Sequence, residues 1–161
     1  MSHGKIYQLA TKPISKGDYI SPDMFYNNHD SYADWIGDAE KGEEREECIR
    51  NLVKYDLKGL FELTADGCLV YLGIDVFLQK WVDAIHEKAQ AITVENVTNY
   101  MQRAALRDVL AGSHTDSIDR IVINEYSGDF AEPLSDLIAF AKHNMKPGDK
   151  LYIGAVIDFH Y

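Results

Sequence analysis

The sequence predicts a single α+β domain, residues 1–161, in which a mixed β-sheet of about four or five strands is backed by about four or five helices. Three observations predict this class. Residues 60–72 have the pattern of a β-hairpin, residues 74–112 carry two apolar stripes at helical spacing, and residues 118–161 have the pattern of strand, helix and strand. The length and the 46% hydrophobic content suit one substantial core.

The N-terminal part begins with a predicted strand at residues 5–10, KIYQLA. After a loop, Ser21 and Pro22 have the residue types of a helix N-cap and a first helical position. We therefore expect a short helix to begin there.

Residues 30–47, the acidic segment, have the most unusual composition. They contain eight carboxylates and two basic residues, so they carry −6 of the chain's formal −10. Glutamates 43, 44, 46 and 47 fit the first turns of a helix that is predicted to end near Tyr55, because the helix macrodipole favours negative charge there. The other four carboxylates precede that helix and have no such local explanation: Asp30, Asp34, Asp38 and Glu40.

The hairpin at residues 60–72 is predicted from Asp66 and Gly67, which favour a tight turn between two β-rich runs. The first helix after it places Trp81 and Ile85 in the middle of its apolar stripe. Both side chains are expected to be buried against the sheet, so Trp81→Ala would cost ~3–5 kcal/mol of stability. A second helix is predicted to start after Thr93, as its N-cap, and to end at Gly112.

The C-terminal part is predicted to contain a strand from Ile118 to Tyr126 and a helix with Pro133 in its first turn. Its length suits a βαβ unit with two parallel strands. The last strand is expected to place alternate apolar residues on one face: Leu151, Ile153, Ala155, Ile157 and Phe159.

Composition excludes several classes of function. A net charge of −10 disfavours generic binding to nucleic acids or anionic membranes, which need basic surfaces. No stretch approaches the ~20 apolar residues of a membrane span, and the N-terminus lacks the pattern of a secretory signal, so a cytoplasmic protein is expected. Cys48 and Cys68 match no metal or disulfide framework. No phosphate-binding or hydrolase motif occurs, and we expect no cofactor and no stoichiometric metal.

Two pairs of residues are candidates for chemistry. Asp158 and His160 alternate on one face of the last strand, and such a pair can ligate a metal or act as an acid and base. His114 and Asp116 lie in a loop, where functional residues are frequent. Each pair also has a structural reading, as polar residues of a sheet edge and as turn residues.

The acidic segment gives the preferred functional hypothesis. It predicts a non-enzymatic protein that binds a basic partner protein, as an acidic inhibitor, immunity-type protein or DNA mimic would. Carboxylates would steer association and aromatic side chains would anchor it, and the residues proposed are Tyr32, Asp34, Trp35, Asp38 and Glu40. The alternatives are a small enzyme or metal protein that uses the pairs above, and a self-associating structural subunit whose last strand pairs with a second copy.

Overall fold

The structure is a computed structural model, and it describes residues 2–27, 32–111 and 117–160. The described strands are β1 (His3–Ala10), β2 (Trp35–Ala39), β3 (Phe61–Leu63), β4 (Leu69–Tyr71), β5 (Arg120–Ile123), β6 (Glu132–Pro133) and β7 (Lys150–His160). The α-helices are α1 (Gly42–Asn51), α2 (Asp75–Gln90), α3 (Tyr100–Ala111) and α4 (Leu134–Asn144). The predicted α+β class is confirmed, with more strands than expected, since these seven strands form one mixed sheet.

Strand β7 lies at the centre of the sheet. The strand order is β3-β4-β7-β1-β5-β6, and β2 pairs with β7 outside this path. Strand β1 pairs antiparallel along one side of β7, while β4 and β2 pair with opposite ends of its other side. The predicted βαβ unit is wrong, because β1 lies between β5 and β7, parallel to β5 and antiparallel to β7. The predicted pairing of the last strand with a second copy is also wrong, because β7 has neighbours on both sides.

A β-bulge interrupts the pairing of β1 with β7. Tyr7 pairs with Val156 and Leu9 pairs with Ile153, so Gln8 alone faces two residues of β7. The extra residue moves the following side chains to the other face of the sheet. Leu151 and Ile153 therefore belong to one core, whereas three later residues belong to another: Ala155, Ile157 and Phe159. The predicted single apolar face of the last strand is wrong for this reason.

The sheet has a hydrophobic core on each face. The larger core includes Ile49 of α1, Phe77 of α2 and Leu137 of α4, packed on the strands. The smaller core includes Phe25, in the short 3₁₀-helix Pro22–Phe25, and Ile36 of β2. Ser21 caps that helix, because its side chain accepts a hydrogen bond from the backbone N–H of Asp23. The predicted helix start at Ser21 and Pro22 is thus confirmed.

The predictions for the hairpin and for helix α1 agree with the structure. The predicted hairpin is confirmed as β3 and β4, with Gly67 at a φ of +83° in the turn. Helix α1 begins within the acidic segment and continues as a π-helical turn, Leu52–Asp56, close to the predicted end. No helix among residues 2–27, 32–111 and 117–160 is long and apolar enough to cross a membrane.

Helices α2 and α3 differ most from the expectation. Residues 91–99 form turns, and α3 begins at Tyr100, where Asn99 Oδ1 accepts a hydrogen bond from the N–H of Met101. Thr93 is therefore not the N-cap, and the predicted end at Gly112 lies outside the described residues. Within the described residues, α2 buries only Phe77 fully and α3 only Val109.

The C-terminal elements are shorter than predicted. Strand β5 ends at Ile123, and turns replace the rest of the predicted strand. Pro133 precedes α4 and belongs to the two-residue strand β6, which pairs with β5. Phe130 lies outside the helix and is exposed.

The predicted burial of Trp81 and Ile85 against the sheet is wrong, since both are only partly buried. Trp81 packs at the margin of the larger core, and its indole N–H donates to the carbonyl oxygen of Val109 at 2.7 Å. We expect Trp81→Ala to lower the free energy of unfolding by about 2 kcal/mol, less than a fully buried aromatic. Urea unfolding measures this, and amide exchange should accelerate in α3. The neighbouring, exposed Val82→Ala is the control, and a loss above ~4 kcal/mol would contradict the partial burial.

Candidate functional site

An aromatic cluster lies where β1, β2 and β7 meet. His160 pairs with His3 of β1 on one side and with Trp35 of β2 on the other, so the three side chains share one face of the sheet. The Trp35 ring stacks on the His160 ring with centroids 4.9 Å apart, and His3 meets His160 edge-on at 5.5 Å. Trp35 remains 47% exposed. One face of the indole therefore packs on the His160 ring, while about half of the Trp35 surface is exposed to solvent.

Gly37 fixes the orientation of Trp35. A Cβ atom at Gly37 would overlap the six-membered ring of the indole, which therefore lies across the glycine backbone. This close approach requires glycine. Because Gly37 and His160 both limit its rotamers, Trp35 loses little side-chain entropy when another molecule covers it.

A charged network adjoins the aromatic cluster on the same face. Lys5 Nζ donates to Glu40 Oε1 at 2.5 Å and to Asp158 Oδ1 at 2.8 Å. The other oxygen of Asp158 lies 3.2 Å from His3 Nδ1. Burial alone would lower the pKa of Lys5, but its hydrogen bonds to Asp158 and Glu40 hold that pKa above the ordinary value. Asp158 and Glu40 are therefore ion-pair partners of a lysine in the folded chain.

His160 also approaches the acidic segment. Its Nδ1 atom lies 2.5 Å from Asp34 Oδ1, although the direction does not suit a hydrogen bond and Nδ1 has no other partner among the described residues. We treat this contact as an ion pair that forms when the imidazole is protonated. The Asp34 side chain is still 63% exposed.

The charged network continues into the interior. The backbone N–H of Lys5 donates to Asp119 Oδ1 at 2.8 Å, and the Tyr7 hydroxyl donates to the carbonyl oxygen of Cys48 at 3.0 Å. Burial raises the pKa of Asp119 to about 6, and burial also raises the pKa values of Tyr7 and of the Cys48 thiol. A protonated thiol is a poor nucleophile, so this inner part is a network of mutually bonded groups.

The acidic segment exposes six carboxylates in its described part, at Asp34, Asp38, Glu43, Glu44, Glu46 and Glu47. Glu40 differs, because its pairing with Lys5 gives it a structural explanation that the sequence did not reveal. Lys5 lies 35 residues away in the chain, so this explanation is long-range and not a local one. Asp30 lies outside the described residues.

Tyr32 is placed differently from Trp35. Its ring packs edge-on against Phe159 at 5.5 Å, and the Arg120 guanidinium lies 4.6 Å from its centroid on the ring face. Tyr32 is partly buried beside the smaller core. It therefore supports the β2 region from within, and Trp35 is the aromatic residue of the segment that is available to a partner.

A groove of about 590 Å³ lies at the C-terminal end of β2, where the chain turns into α1. Part of the groove wall is apolar and is formed by Tyr19, Ile20, Ala39 and Ala155. The charged residues of the wall are Lys16, Glu40, Lys41, Glu43, Arg45 and Glu46. Arg45 is structural as well, because it donates to the carbonyl oxygens of Ile153 and Gly154 at the bulge of β7. These bonds satisfy the part of β7 that has neither β2 nor β4 beside it.

The two candidate catalytic pairs have different outcomes. Asp158 and His160 lie on the central strand, so the reading as sheet-edge residues is wrong, and their neighbours are Lys5, His3 and Trp35. His114 and Asp116 lie outside the described residues. Within residues 2–27, 32–111 and 117–160, no three His, Cys, Asp or Glu side chains are grouped to hold a metal ion.

Sequence reasoning identified Asp34, Trp35, Asp158 and His160 by two unrelated arguments, and the pairing of β2 with β7 brings them together. It missed Lys5, whose central position depends on contacts with residues far away in the chain. Comparison with protein-family models, with curated proteins and with solved structures gave no match.

Proposed function

We propose that this protein is a non-enzymatic binding protein of the cytoplasm whose acidic segment captures a basic partner protein. An inhibitor, an immunity-type protein or a mimic of DNA would act in this way. The observation that carries the proposal is the environment of Trp35, a rigidly supported and half-exposed indole beside the exposed carboxylate of Asp34.

The acidic segment has two separate roles in this proposal, anchoring by Trp35 and steering by the carboxylates. A rigid aromatic side chain can bury a large area at small entropic cost, which is the property of an interface anchor. The exposed carboxylates of the same segment add a negative potential, which accelerates the approach of a basic protein. The groove at the end of β2 supports the same proposal, since anchors from a partner insert into such pockets.

The charged network limits which residues can take part. Glu40 and Asp158 neutralise Lys5 and stabilise the junction of β1 and β7. The proposal therefore assigns steering to Asp34 and Asp38, which are exposed, and assigns a structural role to Glu40. The sequence predicted that Tyr32 binds the partner. The proposal instead assigns Tyr32 a structural role, because its ring packs beside the smaller core.

The test compares binding by the wild-type protein with binding by two variants. Asp34→Asn combined with Asp38→Asn should leave stability within ~0.5 kcal/mol of wild type and should slow association with the captured protein. Trp35→Ala should instead accelerate dissociation. Wild-type association should weaken with added salt, because the Debye length falls from ~10 Å at 0.1 M to ~3 Å at 1 M. Affinity capture from a lysate followed by interferometry of the purified pair measures all three effects.

Matched controls exist in the same chain. Tyr55→Ala removes an aromatic side chain that is 62% exposed but lies outside the acidic segment, and Asp129→Asn removes an exposed carboxylate elsewhere. Both should bind as wild type does. Equal loss of binding in the controls, or unchanged binding in both test variants, would contradict the proposal.

A further inference from the structure

His160 is the residue at which the aromatic cluster meets the acidic segment. Strand β7 places it between His3 of β1 and Trp35 of β2, and its ring contacts both of theirs. Its Nδ1 atom is buried and has no hydrogen-bond partner among the described residues, although Asp34 Oδ1 lies 2.5 Å away. A protonated imidazole carries an N–H on both nitrogens and a positive charge, whose attraction to a carboxylate needs no particular direction. The protonated form of His160 is therefore the form that this environment pairs.

A second histidine lies beside a carboxylate in the same way. His3 Nδ1 is 3.2 Å from Asp158 Oδ2, and the His3 side chain is 54% exposed. Asp158 is already paired with Lys5 through its other oxygen. Each imidazole thus lies against one carboxylate, and each adds a positive charge to the surface around Trp35 when it is protonated.

The charge of this surface depends on the two imidazoles. The other charged groups that face them, among the described residues, are three carboxylates and one ammonium, a net −2. They are Asp34 beside β2, Glu40 after β2, Asp158 on β7 and Lys5 on β1. An imidazole ordinarily changes its charge between about pH 5 and 8. Protonation of both imidazoles brings the net charge to 0, so acidification over that range removes the negative excess beside Trp35.

Asp119 is another group of the charged network that takes up a proton in this range, because burial raises its pKa to about 6. Its carboxylate accepts the backbone N–H of Lys5. Asp119 directly precedes β5, and β1 lies between β5 and β7, so its charge is further from Trp35 than the charges of the two imidazoles are. A variant without this carboxylate separates its effect from theirs.

Protonation of His160 acts on both residues to which partner capture is assigned. The imidazolium pairs with Asp34, so this carboxylate no longer attracts a basic protein. The imidazolium also lies against the Trp35 ring, with centroids 4.9 Å apart and planes at 26°, in the position of a cation on an aromatic face. A basic side chain that approaches Trp35 then meets a positive charge on the other side of the ring.

We propose that His160 and His3 make the Trp35 surface pH-sensitive, so that it attracts cations while both imidazoles are neutral and loses this attraction as they take up protons. This inference rests on the proposed function and names its regulation. A captured basic protein is released on acidification, because the charge that speeds its association is neutralised within the binding surface itself.

The experiment measures the charge beside Trp35 by fluorescence quenching, with iodide as an anionic probe and acrylamide as a neutral one. Trp81→Phe leaves Trp35 as the only tryptophan of the chain. In this protein, iodide quenching at constant ionic strength should increase about twofold or more from about pH 8 to about pH 5.5, because two positive charges appear within a Debye length of the ring. Acrylamide quenching should stay nearly unchanged, since it reports the exposure of the ring and not its charge.

The histidine variants are made in the Trp81→Phe protein. His3→Gln combined with His160→Gln should abolish the increase in iodide quenching. His86→Gln combined with His143→Gln removes two exposed histidines elsewhere and should retain it. Circular dichroism shows whether each variant is folded, and acrylamide shows whether the Trp35 ring has moved.

Two carboxylate variants complete the test without changing the stack of Trp35 on His160. Asp34→Asn should move the midpoint of the iodide transition to lower pH, because the carboxylate that favours the imidazolium is gone. Asp119→Asn should leave that midpoint in place. If acrylamide shows that the ring has moved in the His160→Gln protein, the Asp34→Asn midpoint decides the result.

Iodide quenching that does not change with pH would overturn the inference. An increase that persists without His3 and His160, or a midpoint that does not fall in Asp34→Asn, would overturn it as well. These outcomes leave partner capture by the Trp35 variants at pH 8 unaffected. Failure of the wild-type protein to capture a basic protein at pH 8 would instead contradict the proposed function and leave the iodide result unchanged, so the two are tested separately.

Discussion

Replacing Gln8 with leucine should lower the free energy of unfolding by about 3–5 kcal/mol, a large effect for the substitution of a single polar residue. The Gln8 side chain is 1% exposed. Its Oε1 atom accepts hydrogen bonds from the N–H groups of Ile20 and Ala155, both at 3.0 Å. Its Nε2 atom donates to the carbonyl oxygen of Asp18 at 3.0 Å and to Asn124 Oδ1 at 3.1 Å.

These four bonds join the bulge of β7 to the loop before the 3₁₀-helix Pro22–Phe25 and to the end of β5. Leucine fills a similar volume but leaves the Ala155 N–H buried without an acceptor, and each such group costs about 1–3 kcal/mol. Gly154→Ala should act in the same direction, because a Cβ atom there would overlap the carboxamide of Gln8. The bulge thus depends on both residues.

Urea unfolding followed by circular dichroism measures the effect of Gln8→Leu. The control is Gln79→Leu, at an exposed glutamine of α2 whose side chain donates to Asp83, and the stability of this variant should remain within ~0.5 kcal/mol of wild type. A loss below ~1 kcal/mol for Gln8→Leu would mean that the bulge does not need these bonds.

The elements that the sequence predicted correctly are those with local causes. Gly67 adopts positive φ in a turn that needs only its neighbours, and the glutamates of α1 respond to the dipole of their own helix. The bulge opposite Gln8 has no local cause, because Gln8 and Ala155 are 147 residues apart. The alternation of apolar residues in 151–159 therefore predicted that they share one face of the sheet, whereas the bulge divides them between the two faces.

The helix pair was mispredicted for a different reason. An apolar stripe shows that a surface is to be covered, but it does not identify what covers it. Here the sheet already receives α1, α4 and the first turn of α2, so Met101 and Leu110 of α3 stay exposed although Val109 is buried.

The sequence predicted which residues belong to the candidate site, but it did not predict how they are arranged in space. Trp35 and Asp34 attracted attention by composition, and Asp158 and His160 by spacing. Only the register of β2 on β7 shows that Trp35 lies on His160. The carboxylates for which the sequence gave no explanation also differ in their environment. Glu40 forms an ion pair with Lys5, whereas Asp38 is exposed.

The second large effect concerns Asp119 and depends on pH. The carboxylate lies in the network with Lys5 and Tyr7, and burial, with the negative charge of Asp56 nearby, raises its pKa from the ordinary 3.8 to about 6. Between pH 3.8 and about pH 6 the Asp119 carboxyl group is therefore protonated in the folded chain but ionised in the unfolded chain. The contribution of Asp119 to stability is therefore full below pH ~3.8, falls as the pH rises, and is lost above pH ~6.

Asp119→Asn should consequently stabilise the protein at pH 8 and leave stability nearly unchanged at pH 4. The asparagine carbonyl can still accept the Lys5 N–H, now without an ionised group in a buried position. One pKa unit corresponds to about 1.4 kcal/mol, so a rise of about two units sets an upper limit near 3 kcal/mol, and we expect a gain of about 1–3 kcal/mol. Urea unfolding of both proteins at several pH values measures the difference, with the exposed Asp129→Asn as a control that should not change it. If Asp119→Asn were less stable than wild type at pH 8, the ionised carboxylate would have to gain more from Lys5 and Tyr7 than it loses through burial.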